Sequence, residues 1–313
     1  MRAVTIEDGR LAIREHADPV PSGGELLVRV RAAGLNGADL WQVRGHYPAP
    51  PGSPQDIPGL ELAGEVAAVG PGVTRFRQGD QVMGLVGGGG QAELAIVHER
   101  VAMPVPDGVA WGAAGGFPEA FTTAHDALFT QCGLGLGDRV LVHGAAGGVG
   151  TAAAQLAAAA GARVVASVRN PDHHRAVGFL GADQVVLPDA VEATGPFDII
   201  LELVGAPNFP TNLELLATGG RIMVIGTGAG PAIELDLRLL LARRARLLGS
   251  TLRSRPLEQK AEAARRVEAQ VLPGLASGQL RVPVAATYPL KAAQTAYDHF
   301  AAGGKLGKIV LEP

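Results

Sequence analysis

The stretch Val140-Leu141-Val142-His143-Gly144-Ala145-Ala146-Gly147-Gly148-Val149-Gly150-Thr151 decides the fold. A short apolar run passes through a glycine-rich turn directly into a helix of small residues, which predicts the start of a βαβ unit. Gly147 and Gly148 carry no Cβ that would obstruct a pyrophosphate, and the helix N-terminus offers unpaired N–H groups. Ala145 stands where the first glycine of the usual GxGxxG pattern falls. We therefore expect a dinucleotide phosphate at this turn; the alternative is a tight strand–helix connection.

Further apolar runs follow on the C-terminal side, at residues 163–168, 184–187, 197–203 and 221–225. Runs of this length, separated by helical stretches, are typical of parallel strands that are buried on both faces. The sequence therefore predicts a doubly wound α/β sheet. After it, one amphipathic helix is expected over residues 257–278, and a short strand over residues 308–311.

Residues 2–103 have a different texture, with short β-type runs between Gly and Pro residues, and this predicts a compact, mostly β domain. The tetraglycine at residues 87–90 is interpreted as a flexible turn, or alternatively as a loop that borders a cleft. A chain of 313 residues is also longer than one core usually supports, which favours two domains.

Composition excludes several classes of protein. The net charge of −3 and the absence of a basic tail argue against nucleic-acid binding, and the basic segment at residues 238–246 is interpreted as a solvated helix face. No apolar run approaches the roughly 18 residues that a membrane span needs. The acidic N-terminal residues do not resemble a signal peptide. Cys132 is the only cysteine, which excludes an internal disulfide and fits a reducing cytosol, so we expect a cytoplasmic protein.

The end of the second predicted strand indicates the cofactor. NAD-specific sites place an acidic residue there, about 20 positions after the glycine turn, to bind the adenosine ribose. This chain has Arg169 at that place, with Ser167 two residues earlier. A guanidinium can bind a 2′-phosphate through its planar fork, which favours NADP(H). The alternative is a solvated arginine at a strand end.

Several segments carry a resemblance to a known family. They are residues 32–39 (AAGLNGAD), 59–64 (GLELAG) and 118–124 (PEAFTTA), the glycine turn, and residues 307–311 (GKIVL). On these segments the sequence resembles the medium-chain dehydrogenase/reductase superfamily, and within it the zeta-crystallin-like quinone oxidoreductases. Residues 45–47 (GHY) and 251–255 (TLRSR) are similar to the branch that contains the tumour-suppressor-inducible quinone oxidoreductase.

The resemblance implies a GroES-like catalytic domain formed by residues 1–118 and 255–313, and a Rossmann NADP(H)-binding domain formed by residues 119–254. It places the nicotinamide in the cleft between them. Zinc-dependent relatives have a cysteine where this chain has Asn36 and a histidine where it has Leu60, so two ligands of a catalytic zinc are missing and no metal is expected. The resemblance also implies a homodimer, paired through a sheet edge near residues 232–237.

The same resemblance assigns roles to individual residues. Asn36 would contact the nicotinamide ribose, and Tyr47 would offer its hydroxyl to the acceptor, although a Tyr47 that only packs the cleft wall is the alternative. Arg253 would line the cleft or else lie on the surface as a solvated arginine. The full set of expected cofactor contacts is Asn36, Thr123, Gly144, Ala146, Gly147, Gly148, Val149, Gly150, Ser167, Arg169, Val204, Gly205, Ile225, Gly226, Thr227, Arg253 and Lys308.

The leading hypothesis for function is zinc-independent reduction of a quinone by NADPH. Quinone reduction produces a delocalised aromatic oxyanion, which needs no Lewis acid. The nearest alternative is reduction of an activated carbon–carbon double bond in an enal, enone or enoyl thioester. An alternative of another class is a dinucleotide-binding protein with a structural, sensor or RNA-binding role.

Overall fold

A computed structural model describes all of residues 1–313, and the chain forms two compact units. The first unit comprises residues 1–122 together with 252–313, and the second comprises residues 123–251. The catalytic role of the first and the cofactor-binding role of the second stay predictions.

The secondary structure comprises fifteen strands and ten α-helices. The strands are β1 (Arg2–Glu7), β2 (Arg10–Glu15), β3 (Glu25–Gly34), β4 (Glu61–Val69), β5 (Gln81–Leu85), β6 (Leu94–His98), β7 (Ala102–Pro104), β8 (Arg139–His143), β9 (Arg163–Ser167), β10 (Gln184–Val186), β11 (Phe197–Glu202), β12 (Leu216–Val224), β13 (Arg246–Gly249), β14 (Val284–Pro289) and β15 (Lys308–Glu312). The helices are α1 (Gly37–Val43), α2 (Trp111–Gly115), α3 (Pro118–His125), α4 (Gly148–Ala159), α5 (His174–Phe179), α6 (Phe209–Leu215), α7 (Leu237–Arg243), α8 (Leu257–Gln270), α9 (Leu272–Ala276) and α10 (Ala293–Ala302).

The second unit is built on a six-stranded parallel sheet in the order β10-β9-β8-β11-β12-β13. Counted within the unit this order is 3-2-1-4-5-6, the doubly wound order of dinucleotide-binding sheets. The central strands are apolar because helices cover both faces, and Val140, Leu141, Ile199 and Ile200 are all fully buried. The predicted doubly wound Rossmann sheet is confirmed.

The first unit is mostly β. Its larger sheet has the order β14-β15-β3-β4-β5-β7, with β6 pairing with β3, while β1 and β2 form a separate antiparallel pair. Leu26 and Val28 of β3 and Leu62 of β4 lie in its core. β15, from the C-terminal end of the chain, pairs antiparallel with β3, with Val310 opposite Gly34. This pairing brings the start of β15 beside the end of β3, where the second of the two candidate sites lies.

The structure corrects three expectations from the sequence, each in part. The helix expected over residues 257–278 is divided into α8 and α9 around Val271, because Pro273 supplies no N–H for a continuous helix. The basic segment at residues 238–246 is helical only to Arg243, and strand β13, which the sequence did not predict, begins at Arg246. The tetraglycine is not an open flexible turn, since residues 88–90 are buried and a Cβ on Gly88 would lie 2.8 Å from the Pro54 carbonyl oxygen.

Candidate functional site

The glycine turn between β8 and α4 forms the first candidate site. Gly144 has a φ of +64°, which favours glycine, and its carbonyl accepts the Gly147 N–H at 3.0 Å. A Cβ on Gly150 would lie 2.6 Å from the Ala145 Cα, so this glycine lets the helix pack onto the turn. A Cβ on Gly147 would meet only the Gly144 carbonyl oxygen, at 3.4 Å. The protein therefore leaves the space beside Gly147 open.

A dinucleotide diphosphate fits this open space. The N–H groups of residues 148–150 lie in the first turn of α4, where no intrahelical carbonyl is available to them. Gly147 is the N-cap of the helix and has no side chain that could occupy these donors. Ala146, Gly147, Gly148 and Val149 are partly exposed, so a ligand can reach them. The positive end of the helix dipole favours an anion at this place.

Ser167 and Arg169 lie where β9 ends, beside the glycine turn. Ser167 is buried, and its backbone carbonyl accepts the Ala145 N–H at 3.2 Å, which ties the end of β9 to the turn. Arg169 is exposed. Its exposure suits both the phosphate-binding role and the solvated strand end, so its role stays a prediction.

A buried carboxylate that the sequence analysis missed organises the loop after β11. Glu202 is fully buried, and its Oε1 accepts the backbone N–H groups of Val204 at 2.7 Å and Gly205 at 2.8 Å. Its Oε2 accepts Asn212 Nδ2 at 2.8 Å, and Asn212 Oδ1 lies 2.7 Å from Nε2 of the buried His143. An acidic residue at the end of an otherwise apolar strand was the available signal.

The glycines of the neighbouring loops are explained by packing. A Cβ on Gly205, whose φ is +127°, would lie 2.8 Å from the Gly230 carbonyl oxygen. A Cβ on Gly226 would lie 2.2 Å from the Leu203 carbonyl oxygen. The expected cofactor contacts of these loops therefore stay predictions, because packing alone requires both glycines.

The first unit contains a second candidate site, a buried cluster of Asn36, Glu61 and Lys308, hereafter the lysine cluster. The ammonium of Lys308 donates to the Leu35 carbonyl at 2.7 Å, to Asn36 Oδ1 at 2.7 Å and to Glu61 Oε1 at 2.6 Å. Glu61 is fully buried and Lys308 is 3% exposed. Glu61 Oε2 accepts the Glu119 N–H at 2.8 Å. The carboxylate and the ammonium therefore compensate each other away from water.

The lysine cluster fixes which way the Asn36 amide faces. Oδ1 faces the ammonium, while Nδ2 donates to Glu61 Oε1 at 3.0 Å and to the Gly34 carbonyl at 3.3 Å. Both amide protons are thus used, and a ligand of Asn36 must be a donor to Oδ1. All three protons of the Lys308 ammonium are used as well. Contact between Lys308 and a cofactor would require one of these bonds to break.

Asp39, in the first turn of α1, lies beside this cluster. Its carboxylate accepts the Asn36 N–H at 2.8 Å and the Gly59 N–H at 3.3 Å, and Gln91 Nε2 lies 3.4 Å away. Gln91 in turn accepts the Tyr297 hydroxyl at 2.9 Å. Burial raises the pKa of Asp39 to about 6, although the hydrogen bond from Asn36 and the charge of Lys308 oppose this.

Tyr47 and Arg253 are brought together in the same unit. Tyr47 is half-buried in the loop after α1, and the guanidinium carbon of Arg253 lies 5.0 Å from the centre of its ring. Arg253 is 6% exposed, which excludes the interpretation of a solvated surface arginine. The roles of both residues stay predictions.

No group of three or more His, Cys, Asp and Glu side chains is placed to hold a metal ion. Leu60, at the position where zinc-dependent relatives have histidine, is buried and apolar.

No helix combines the length and apolar character that a membrane crossing requires. Thr123 is buried in α3, and Ile225 and Thr227 lie in the loop after β12.

The strand order and the glycine turn define a dinucleotide-binding fold. Comparison with known proteins identifies the family to which this fold belongs. The family pattern described as "Alcohol dehydrogenase GroES-like domain" matches residues 22–107, and the one described as "Zinc-binding dehydrogenase" matches residues 148–269. Quinone oxidoreductase of Rattus norvegicus is 32% identical, over 94% of this chain and 90% of that protein. The chain belongs to the medium-chain dehydrogenase/reductase superfamily, a family of oxidoreductases, and its first unit is GroES-like.

Two other relatives are informative. A mycobacterial protein solved in complex with NADPH superimposes with a TM-score of 0.89 at 28% identity, with all of both chains covered. Erythronolide synthase EryA2 of Saccharopolyspora erythraea contains a segment that is 36% identical, covering 92% of this chain and 8% of that protein. The resemblance expected from the sequence is therefore confirmed at the level of the superfamily.

Proposed function

We propose that this protein is a zinc-independent reductase that uses NADPH to reduce a quinone to a hydroquinone. The observation that carries the zinc-independent part of the proposal is the lysine cluster, a buried ammonium held by oxygens of Asn36, Glu61 and Leu35. The similarity to quinone oxidoreductases over nearly the whole chain supports the choice of acceptor.

The lysine cluster argues against a metal at this place. The Lys308 ammonium lies within 2.7 Å of three oxygens that a cation would otherwise use. A metal ion beside it would meet a fixed positive charge in a buried environment, where like charges repel strongly. Asn36 and Leu60 also supply neither the thiolate nor the imidazole that zinc prefers.

For the cofactor we propose NADP(H). When bound, its reduced nicotinamide would supply a hydride, which carries two electrons and one hydrogen, and solvent would supply the one proton that completes the hydroquinone. The turn at residues 144–150 binds the diphosphate, and Arg169 with Ser167 binds the 2′-phosphate. Asn36 Oδ1 accepts a ribose hydroxyl, in agreement with its fixed amide orientation. The NADPH complex of the mycobacterial relative supports this choice of dinucleotide.

Tyr47 has the role of a hydrogen-bond donor to the acceptor oxygen. Because the negative charge of a reduced quinone is delocalised over its ring, a donor of this kind can stabilise it without a metal. Thr123, Val204, Gly205, Ile225, Gly226 and Thr227 remain proposed cofactor contacts. We place the protein in the cytoplasm, as expected from its single cysteine.

A homodimer is also proposed. The sheet edge expected near residues 232–237 is not formed, because residues 232–236 belong to no strand and α7 begins at Leu237, so we propose pairing through the outer edge of β13 instead. This strand ends the parallel sheet, and an unpaired edge is a liability that a second copy removes. The neighbouring helix α7 exposes Leu237 and Leu241, at 63% and 74%. A dimeric mass by light scattering at micromolar concentration is expected, and a monomer would contradict this part of the proposal.

A second candidate function is reduction of an activated carbon–carbon double bond. Similarity to segments of two synthases supports it. One is erythronolide synthase, and the other is a mycocerosic acid synthase-like polyketide synthase of Mycobacterium tuberculosis, which is 33% identical over 94% of this chain and 14% of that protein. Such a reaction requires a proton to be delivered to carbon, which quinone reduction does not.

The test is oxidation of NADPH with a panel of quinones beside a panel of enals, enones and enoyl thioesters, each with and without a strong chelator. We expect the highest kcat/KM with a quinone, and no loss of activity in chelator. A preference for the double-bond acceptors would transfer the proposal to the second candidate. Stoichiometric zinc that is removed together with activity would refute zinc independence.

The cofactor turn is tested at two of its glycines, Gly147 and Gly150. Gly147→Val should abolish NADPH binding with little change in the free energy of unfolding, because its side chain enters the open space beside the turn. Gly150→Val should destabilise the fold itself, because its Cβ meets the backbone of Ala145. Calorimetry and denaturant unfolding of both variants separate these effects, and unchanged NADPH affinity in Gly147→Val would show that the turn is only a connection.

A further inference from the structure

Arg253 connects three separate segments of the first unit. Its Nε donates to the Gly87 carbonyl at 2.8 Å, its Nη1 donates to the Tyr47 carbonyl at 2.8 Å, and its Nη2 donates to Gln42 Oε1 at 2.6 Å. Gln42 belongs to the end of α1, Tyr47 to the loop that follows it, and Gly87 to the tetraglycine loop. One guanidinium therefore holds all three segments at fixed separations.

Tyr47 is held both by its backbone and by its ring. The Arg253 guanidinium lies against the ring face, 5.0 Å from its centre, in addition to binding the Tyr47 carbonyl. The tetraglycine side of the connection is equally confined, because a Cβ on Gly87 would lie 2.2 Å from Ser53 Oγ. The two loops can therefore move apart only if the Arg253 bonds break.

The cost of burying the Arg253 charge indicates that this side chain does more than stabilise the fold. Its three acceptors are neutral oxygens, so the buried positive charge has no hydrogen-bonded carboxylate. Burial lowers the pKa of Arg253, while the Asp39 carboxylate acts in the opposite direction. A buried charge of this kind is costly compared with an apolar side chain of similar size. What the guanidinium supplies is geometry, a planar fork with donors in fixed directions.

We infer that Arg253 is a positioning residue that fixes Tyr47 against the tetraglycine loop and thereby sets which acceptors the enzyme takes. This inference rests on the proposed function, in which the Tyr47 hydroxyl meets the acceptor oxygen. It differs from the cofactor contact that the family resemblance implies for Arg253. A displacement of about 1 Å at a reacting group can cost up to a hundredfold in rate.

The variants are Arg253→Met, Arg253→Lys and Tyr47→Phe, with Arg75→Met as a matched control. Arg75 is also a partly buried arginine of the first unit, and its Nη1 binds the backbone carbonyls of Glu99 at 2.9 Å and Ala102 at 3.1 Å. Unlike Arg253 it also has a carboxylate partner, Glu268, whose Oε2 lies 3.0 Å from its Nη2. Each variant is measured for NADPH affinity, for kcat and KM across acceptors of increasing size, and for hydrogen exchange.

We expect Arg253→Met to lower kcat/KM for the acceptor by about tenfold to a hundredfold and to weaken its selectivity for acceptor size, with NADPH affinity unchanged within about twofold. Arg253→Lys keeps the positive charge but loses the planar guanidinium, so its kcat/KM should lie between the values of Arg253→Met and of wild type. The double variant with Tyr47→Phe should cost much less than the product of the two single losses. Arg75→Met should leave kcat/KM unchanged.

Contrary outcomes are distinct. A loss of NADPH affinity with an unchanged acceptor KM would make Arg253 a cofactor ligand and overturn the inference. Multiplicative losses in the double variant would show that Arg253 does not act through Tyr47. If wild type reduces no quinone and no double-bond acceptor, the proposed function is wrong. Hydrogen exchange then decides: faster exchange in Arg253→Met confined to residues 44–54 and 86–90 supports the connection, and unchanged exchange refutes it.

Discussion

Each unit buries one carboxylate at a strand terminus: Glu61 begins β4 in the first unit, and Glu202 ends β11 in the second. The two carboxylates have different kinds of partner. In the first unit Glu61 pairs with the Lys308 ammonium at 2.6 Å, and Asn36 bridges the two. In the second unit Glu202 has no ammonium or guanidinium partner and is satisfied by backbone N–H groups and by the amides of Asn208 and Asn212. The first arrangement fixes a polar side chain, whereas the second fixes a backbone loop.

This difference follows from what each unit is proposed to present to a ligand. An asparagine amide has two nearly equivalent orientations, and a cation on one side with an anion on the other leaves only one. A loop of small residues such as Val204-Gly205 has no side chain to fix, and it is held through its N–H groups. Substitutions that disturb one cluster at a time should separate the two arrangements, and the largest effect is expected at Lys308.

Lys308→Met should lower the free energy of unfolding by about 3–5 kcal/mol, because it leaves the Glu61 carboxylate buried without a counter-charge. Denaturant unfolding measures the loss. Lys291→Met, at an exposed lysine, is the control and should be close to neutral. Adding Glu61→Gln should recover much of the stability, and a double variant no more stable than Lys308→Met would show that charge compensation is not the cause.

Asp39 should make the stability of the first unit depend on pH. Its folded pKa of about 6 lies above an unfolded value of about 3.9, so between these values the folded state binds the additional proton. The resulting stabilisation is complete below about pH 4 and is lost as the pH rises through about 6, which amounts to roughly 3 kcal/mol. The free energies of unfolding of wild type and Asp39→Asn should be measured at several pH values. As the pH falls, the stability of wild type should increase relative to that of the variant. A difference that is constant with pH would contradict the assignment.

Glu202→Gln should cost about 1.5–3 kcal/mol, less than Lys308→Met, because it creates no unpaired charge. One face of the new amide is a donor and meets other donors, either the Val204 and Gly205 N–H groups or the neighbouring asparagine amides. Binding of NADPH and of NADH should weaken to the same extent, because the loop and not the 2′-phosphate is affected. The exposed Glu192→Gln is the control. An effect on NADPH alone would argue against this account.

Arg169→Asp should have the smallest effect on stability and a specific effect on cofactor choice. An exposed charge-assisted contact is worth about 1.4 kcal/mol, or roughly tenfold, so the variant should weaken NADPH and narrow or invert its preference over NADH. Both affinities are measured at one salt concentration, because screening scales the effect. Arg163→Asp, at the other end of β9 and also exposed, is the control. If the ratio of NADPH to NADH affinity is unchanged in Arg169→Asp, then Arg169 is only a solvated side chain at the end of a strand.

Local signals in the sequence were sufficient for the elements that depend on neighbours along the chain. The glycine turn was predicted because strand, turn and helix follow one another within residues 140–151. The helix break at Val271 and the edge strand β13 were not predicted, and the reasons differ. The first depends on one proline within an otherwise helical pattern, and the second on a short, largely exposed segment that carries no buried apolar signal.

The sequence by itself determined the βαβ start, the doubly wound sheet and the single cysteine, because each is a matter of residue type or of spacing over a few positions. The absence of zinc ligands at Asn36 and Leu60 is what the family resemblance implies, and zinc independence stays a prediction. Only the tertiary structure decided the partners of Glu61, Lys308 and Arg253. The Lys308 ammonium bonds to a residue 272 positions away, and the Arg253 guanidinium to residues 166 and 206 positions away. No local pattern records such pairs, because they arise from the register of β15 on β3 and from the packing of loops. Whether a charged side chain is solvated or buried therefore depends on contacts that form only when the chain has folded.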